Sequence, residues 1–74
     1  MQTLTFNTST KQVHLLSAER GNALLLETFD NVSTVKCSEF GFYEVMQKVS
    51  NDSLSTIPVL RVPIANTNMI IEKY

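Results

Sequence analysis

The chain has 74 residues, of which 43% are apolar and 18% are charged, and its formal net charge is −1. This length predicts one compact domain over residues 1–74, and the composition excludes a disordered chain, which needs low hydrophobicity and high net charge. The six basic residues are spread along the sequence and form no clustered positive field. Nucleic acid is therefore not an expected partner, because binding through phosphates depends on such a field.

The first half of the sequence predicts four short strands separated by turn-forming residues. Alternation of polar and apolar residues and β-branched runs are typical of half-buried strands, and Asn, Ser, Gly and Asp favour the turns between them. The three adjacent leucines of the third segment predict a strand that is covered on both faces, with Leu25 in the core. Irregular spacing of apolar residues in the fourth segment predicts a bulge or a bend. The four predicted strands are Thr3–Phe6, Gln12–Ser17, Ala23–Phe29 and Val32–Cys37.

The segment from Ser38 to Val49 is compatible with two structures. Its apolar residues at spacings of three and four indicate one face of a helix, which gives an alternative α+β fold with a helix at about 38–50. A turn at Ser38–Gly41 followed by a strand at Phe42–Val49 is the preferred interpretation. Gly41 would destabilise the first turn of a helix by up to ~1 kcal/mol relative to Ala. The runs on either side of Ser50–Ser53 have similar lengths, as the arms of a hairpin do.

The last third of the chain contains two apolar, β-branched runs that predict two further strands. The first run begins at Thr56 and carries Pro58 and Pro63 near its ends, where proline disturbs a ladder least. Val59 and Leu60 lie between these prolines and are predicted core residues. The second run is Met69–Tyr74, at a position where it could form a sheet edge. An apolar edge is normally covered, and the two alternatives are pairing with the first strand or with a second copy of the chain.

Residues 63–66, Pro-Ile-Ala-Asn, predict a tight or 3₁₀ turn directly before the last strand. In this respect the chain resembles SH3-type small barrels, in which such a turn precedes the closing strand. The resemblance covers less than half of the chain and implies a fold but no particular function. We therefore predict a mainly β fold of five to seven strands, arranged as a small SH3-like barrel or a rolled antiparallel sheet.

The residues with chemical reactivity form no recognisable catalytic or metal-binding motif. Cys37 is the single cysteine and His14 the single histidine. A thiolate nucleophile with a histidine base would need these two side chains to be adjacent, whereas an isolated strand cysteine is usually a small buried apolar residue. One cysteine also excludes an internal disulfide, and the N-terminal segment lacks a signal-peptide pattern. We expect a cytoplasmic, non-enzymatic protein with no cofactor, no metal and no membrane partner.

A group of aromatic residues beside Gly41 is the best indication of a binding surface. Neighbouring residues of a strand point to opposite faces, so Phe40, Phe42 and Tyr43 cannot all enter the core. An exposed aromatic side chain on a small domain favours a contact surface. The predicted interaction surface combines these aromatic residues with the last strand, and its members are Phe40, Phe42, Tyr43, Met69, Ile71 and Tyr74.

The function predicted from these features is protein binding by a small accessory or inhibitor protein of viral or phage type, which recognises a host or partner protein. The partner's identity is open, and a homodimer through the last strand is part of the prediction. The alternative is a small β-barrel that binds nucleic acid by stacking bases on exposed aromatic side chains. It requires Phe42 or Tyr43 to be exposed beside Lys36, Lys48 or Arg61. A minimal enzyme or ligand-binding protein ranks last, since 74 residues leave little room for a pocket.

Overall fold

A computed structural model describes residues 1–19, 21–49 and 52–74 of the chain. Within these ranges the protein is mainly β, with seven strands, no α-helix and a single 3₁₀ turn at Ile64–Asn66. The strands are β1 Gln2–Asn7, β2 Gln12–Glu19, β3 Asn22–Phe29, β4 Val32–Cys37, β5 Phe42–Val49, β6 Asp52–Pro63 and β7 Thr67–Glu72. The described part of the chain contains no helix of the length and apolarity that crossing a bilayer requires.

The strands of the described residues form two sheets, with the orders β3-β2-β1-β7 and β4-β5-β6. Adjacent strands are antiparallel except β1 and β7, which pair in parallel with Leu4 opposite Met69 and Phe6 opposite Ile71. This parallel pair departs from the predicted all-antiparallel sheet. It arises because the first and last strands are joined by the whole intervening chain, and a long connection permits the parallel direction.

The core lies between the two sheets and is built from alternate residues of five strands. Strands β1 and β2 supply residues of one layer, and β4, β5 and β6 supply those of the other. The chain is thin along one axis, with extents of 42 × 29 × 19 Å, which fits two sheets about 10 Å apart. The buried core residues are Leu4, Phe6, Val13, Leu15, Val32, Val45 and Val62.

Segment Ser38–Val49 adopts the predicted turn and strand, and the helical alternative is wrong. Gly41 has φ +88°, a left-handed conformation that ends any helix there and that glycine adopts without strain. Val45 and Met46 are both buried, although adjacent residues of β5 point to opposite faces. Met46 lies between Thr34 and Pro58 in the strand register. Burial on both faces of this strand produced the helix-like spacing of apolar residues.

Two finer predictions are confirmed, and one lies outside the described residues. In β4, Val32 pairs with Gln47 and Thr34 with Met46, so Ser33 is the extra residue of a bulge. The 3₁₀ turn occupies Ile64–Asn66, directly before the last strand. The centre of the predicted turn at Ser50–Ser53 falls on residues 50 and 51, which the structure does not describe.

The prediction that the third strand is covered on both faces is wrong. Strand β3 lies at the edge of the four-stranded sheet, and every residue from Asn22 to Thr28 is exposed, so the second sheet does not cover either of its faces. Leu25, predicted to be in the core, is 54% exposed. Val59 and Leu60 are half-buried and pack against the margin of the core, because β6 is likewise an edge strand. Contiguous apolar residues thus marked an exposed edge and not a central strand.

Candidate functional site

The turn between β4 and β5 is held by its own backbone hydrogen bonds and displays one aromatic side chain. The Ser38 amide donates to the Phe42 carbonyl at 2.7 Å, and the Gly41 amide donates to the Ser38 carbonyl at 3.1 Å. The Phe40 amide donates to Ser38 Oγ at 3.1 Å. This ordered turn leaves Phe40 79% exposed. At this exposure, packing in the core contributes little to the stability of the Phe40 side chain, and a phenyl ring forms no conventional hydrogen bond.

The same turn is anchored to the segment that leads into the last strand. The Ile64 amide donates to the Gly41 carbonyl at 3.0 Å, which links the start of the 3₁₀ turn to the β4–β5 connection. Phe42 lies opposite Pro63 in the β5–β6 register. The turn that carries Phe40 is therefore held both by its own hydrogen bonds and by the segment before β7.

An open depression of about 540 Å³ lies beside this turn on the three-stranded sheet. We call it the aromatic depression and define it by its lining residues. Phe42 is half-buried in it, and Phe40 stands exposed at its rim. The aromatic depression is lined by Ser38, Glu39, Phe40, Phe42, Glu44 and Arg61.

The charges of the aromatic depression are arranged across the sheet. Arg61 donates to Glu44 Oε2 at 3.0 Å, and the two side chains are 58% and 20% exposed. Lys36 lies on the other side of Glu44 in the strand register, so two basic residues flank one carboxylate. Glu39 adds a second carboxylate to the lining. The lining carries two carboxylates and one guanidinium, and its formal charge is negative.

The six residues of the predicted surface are not brought together. Phe40 and Phe42 share the aromatic depression, whereas Tyr43 faces the opposite side of β5 and packs against the core. Alternation along the strand explains this separation of Phe42 and Tyr43. Only the first two residues are thus placed on one accessible surface of the three-stranded sheet.

The predicted residues of the last strand belong to the other sheet. Met69 is half-buried against the core, while Ile71 is 61% and Tyr74 82% exposed. The Tyr74 hydroxyl donates to a carboxylate oxygen of Glu72. Strand β7 pairs with β1, which is the first of the two alternatives for covering it. Its other edge has no neighbour among the described strands.

The two residues considered for nucleophilic catalysis lie in different sheets. His14 Nδ1 is 3.0 Å from Thr28 Oγ1, between β2 and β3. Cys37 is an exposed free thiol at the end of β4. The described residues contain no group of three His, Cys, Asp or Glu side chains placed to hold a metal ion.

Sequence reasoning named Arg61 for the nucleic-acid alternative alone, and it missed Glu39 and Glu44 as parts of the candidate site. Glu44 and Arg61 are 17 positions apart in the chain and meet only through the β5–β6 register. Their alternation with Phe42 and Pro63 along paired strands was the available signal, but it becomes readable only once the register is known.

Comparisons with models of protein families, with curated protein sequences and with solved structures each find no match for this chain.

Proposed function

We propose that this chain is a small non-enzymatic protein-interaction module that binds its partner at the aromatic depression. The observation that carries the proposal is the 79% exposure of Phe40 at the rim of a depression that also contains Phe42. Aromatic residues are enriched at protein interfaces and supply much of their binding energy. An aromatic side chain that a hydrogen-bonded turn holds outside a small core is consistent with such a role.

The distribution of apolar residues supports a binding role for the surface as a whole. Among the described residues, eleven large apolar side chains are exposed, whereas eight apolar residues form the buried set. Single exposed apolar residues are ordinary, but an excess over the core in so short a chain favours association with other proteins. We therefore propose an accessory or inhibitor protein of viral or phage type that acts by binding a host protein in the cytoplasm.

The charge of the aromatic depression narrows the chemistry of the partner. Arg61 and Lys36 already flank Glu44, so Glu39 at the turn is the carboxylate of the lining that would favour a partner segment with an apolar or aromatic anchor and a nearby Lys or Arg. A basic side chain can also interact with the faces of Phe40 and Phe42. A phosphate-bearing partner would meet carboxylates at the same position.

Nucleic-acid binding is the second candidate, and one observation favours it. Arg61 lies in the same depression as Phe40 and Phe42. Proteins that bind single-stranded nucleic acids combine basic and aromatic side chains in this way. The two carboxylates in the lining oppose it, because affinity for nucleic acid depends on neutralised phosphates.

We also propose a specific architecture, a small SH3-type fold. The 3₁₀ turn at Ile64–Asn66 directly before β7 supports an SH3-type arrangement, in which residues 1–74 form one compact domain. The proposal for function does not depend on this relationship, since small β folds serve many roles.

Site-specific photo-crosslinking in cells of the source organism tests the proposed surface. Benzoylphenylalanine replaces Phe40 in one variant and Tyr74 in a control, because these aromatic side chains are 79% and 82% exposed. Because the two exposed fractions are similar, non-specific crosslinking should occur to a similar extent at both positions. We expect one discrete, protease-sensitive adduct from position 40 that is absent from position 74. The adduct should disappear when Phe42→Ser is combined with the probe at position 40.

Three results would decide against the proposal. Equal adducts from both positions would remove the special role of the aromatic depression, as would an adduct from position 74 alone. A nuclease-sensitive adduct from position 40 would show that the aromatic depression binds nucleic acid, as the second candidate function requires. Circular dichroism of each variant verifies that the strands are retained.

A further inference from the structure

A second, smaller depression lies on strand β6, beside the aromatic depression. It has a volume of about 240 Å³, and its lining is the run of residues Pro58, Val59, Leu60 and Arg61. We call it the β6 depression. It lies at a bulge, because the β5–β6 register shifts there and Val59 is the extra residue that no residue of β5 opposes.

The two depressions adjoin across one side chain, since Arg61 belongs to the lining of both. Pro63, opposite Phe42, marks the position of the aromatic depression along β6, and Pro58 marks the far end of the β6 depression. These prolines are about 17 Å apart along an extended strand. A partner chain of about five extended residues spans the same length, so one segment can reach both depressions.

The row of charged side chains at Arg61 has an excess of positive charge. Lys36 and Arg61 lie on either side of Glu44 in the strand register, and these two cations and one carboxylate give the row a formal charge of +1. Arg61 Nη2 donates to Glu44 Oε2 at 3.0 Å, and the Arg61 side chain remains 58% exposed. A guanidinium has five N–H donors, and Glu44 is its one hydrogen-bond partner among the described residues. One carboxylate of a partner would use further donors and neutralise the row.

We propose that the partner segment bound at the aromatic depression continues across Arg61 into the β6 depression and carries an Asp or Glu side chain opposite Arg61, between two apolar anchors. This inference rests on the proposed function and specifies the chemistry of the partner as an extended protein segment of apolar, acidic, apolar order. The carboxylate accepts donors of the guanidinium that Glu44 does not use, which is a charge-assisted contact. The first anchor enters the aromatic depression, and the second packs on the apolar residues of the β6 depression.

The lining of the β6 depression favours a protein segment over a nucleic acid. Pro58, Val59 and Leu60 offer a surface for an apolar side chain but no aromatic ring on which a base could stack. Glu39, at the other end of the surface, opposes a phosphate and favours a basic residue. The order of charges therefore also gives the segment a direction, with its basic residue at the turn before β5 and its acidic residue at β6.

Photo-crosslinking at a second position tests the path of the segment. Benzoylphenylalanine replaces Pro58, which is exposed in the β6 depression, and the adduct is compared with the one from position 40. The matched control carries the same probe at Leu54, which is 93% exposed on the same strand and lies about 23 Å along it from Arg61. We expect the same partner protein at positions 40 and 58 and no adduct from position 54. Circular dichroism verifies that each variant retains its strands.

Mass spectrometry of the two adducts locates the attached residues in the sequence of the partner. We expect the two attachment sites to lie within about six residues of each other, as about 17 Å of extended chain requires. An Asp or Glu should lie between them. Attachment sites far apart in the sequence, or a linking segment without an acidic residue, would overturn the proposal.

Charge reversal tests the contact at Arg61. Arg61→Glu should lower the yield of the adduct from position 40 at least about fivefold, because repulsion replaces attraction between the two side chains. The control is Lys73→Glu, which makes the same change in net charge at an exposed residue that follows the last strand of the other sheet. It should leave the yield unchanged, and equal losses from the two variants would refute the contact. Replacement of the partner's acidic residue by lysine should restore the adduct of the Arg61→Glu variant.

The crosslinking outcomes separate this inference from the proposed function. An adduct from position 40 without one from position 58, or with an equal one from position 54, overturns the continuation across Arg61 and leaves the aromatic depression as the binding site. The absence of a protein adduct from position 40 removes the proposed function and this inference with it. A nuclease-sensitive adduct from position 58 would overturn the proposal in favour of a nucleic acid that occupies both depressions.

Discussion

Replacement of Leu4 by alanine tests the assignment of the core between the two sheets. Leu4 has no exposed surface and lies on β1 between β2 and β7. Leu→Ala substitutions at such sites cost about 2–5 kcal/mol, since contacts are lost and a cavity remains. A chain of this length has a free energy of unfolding of about 4–11 kcal/mol. Leu4→Ala should therefore remove about half of the stability.

Two further leucines provide a matched series with the same chemical change. Leu54 on β6 is 93% exposed, and Leu60 on the same strand is half-buried against the core. Leu54→Ala should change the free energy of unfolding by no more than about 0.5 kcal/mol, and Leu60→Ala should fall between the two. Urea unfolding followed by circular dichroism at one fixed protein concentration measures all three. Similar costs for Leu4→Ala and Leu54→Ala would refute the proposed core.

Other predictions concern the turn, the ion pair and the partner class. Gly41→Ala should lower the free energy of unfolding by about 1–2 kcal/mol, because φ is +88° there although no atom lies within 4 Å of an added Cβ. Gly41→Asn should lower it less, since Asn tolerates this conformation better. Equal losses of stability in thermal unfolding would contradict the assigned backbone conformation. Glu44→Gln removes the partly exposed ion pair with Arg61 and should change stability by less than about 1 kcal/mol; a larger loss in urea would reveal a structural role. RNA and single-stranded DNA should show no salt-sensitive, submicromolar binding in fluorescence anisotropy, and tight binding would favour the second candidate function.

The sequence predicted the strands well where local chemistry determines them. Gly41 with its flanking runs identified the turn before β5, and residues 63–66 identified the 3₁₀ turn. Irregular spacing in β4 indicated a bulge or a bend, and the structure has a bulge at Ser33. These features depend on backbone conformation and on side chains a few residues apart, which a single sequence records directly.

The order of strands in the sheets was not predictable in the same way. Leu24, Leu25 and Leu26 have the composition of a central strand, and only the topology shows that they lie at an edge. The candidate site depends equally on register, which brings Glu44 and Arg61 together. Both properties arise from pairings between distant segments, for which the residues of one strand contain little information.

The central claim is that Phe40 and Phe42 bind a protein partner. Once crosslinking has identified that partner, calorimetric titration of the purified pair tests the claim directly. Phe40→Ala should weaken binding at least tenfold, as expected for an aromatic contact that contributes more than about 1.4 kcal/mol. Tyr74→Ala, a change at a residue of equal exposure, should leave the affinity unchanged. Unaltered binding by Phe40→Ala, or an equal loss from Tyr74→Ala, would contradict the claim.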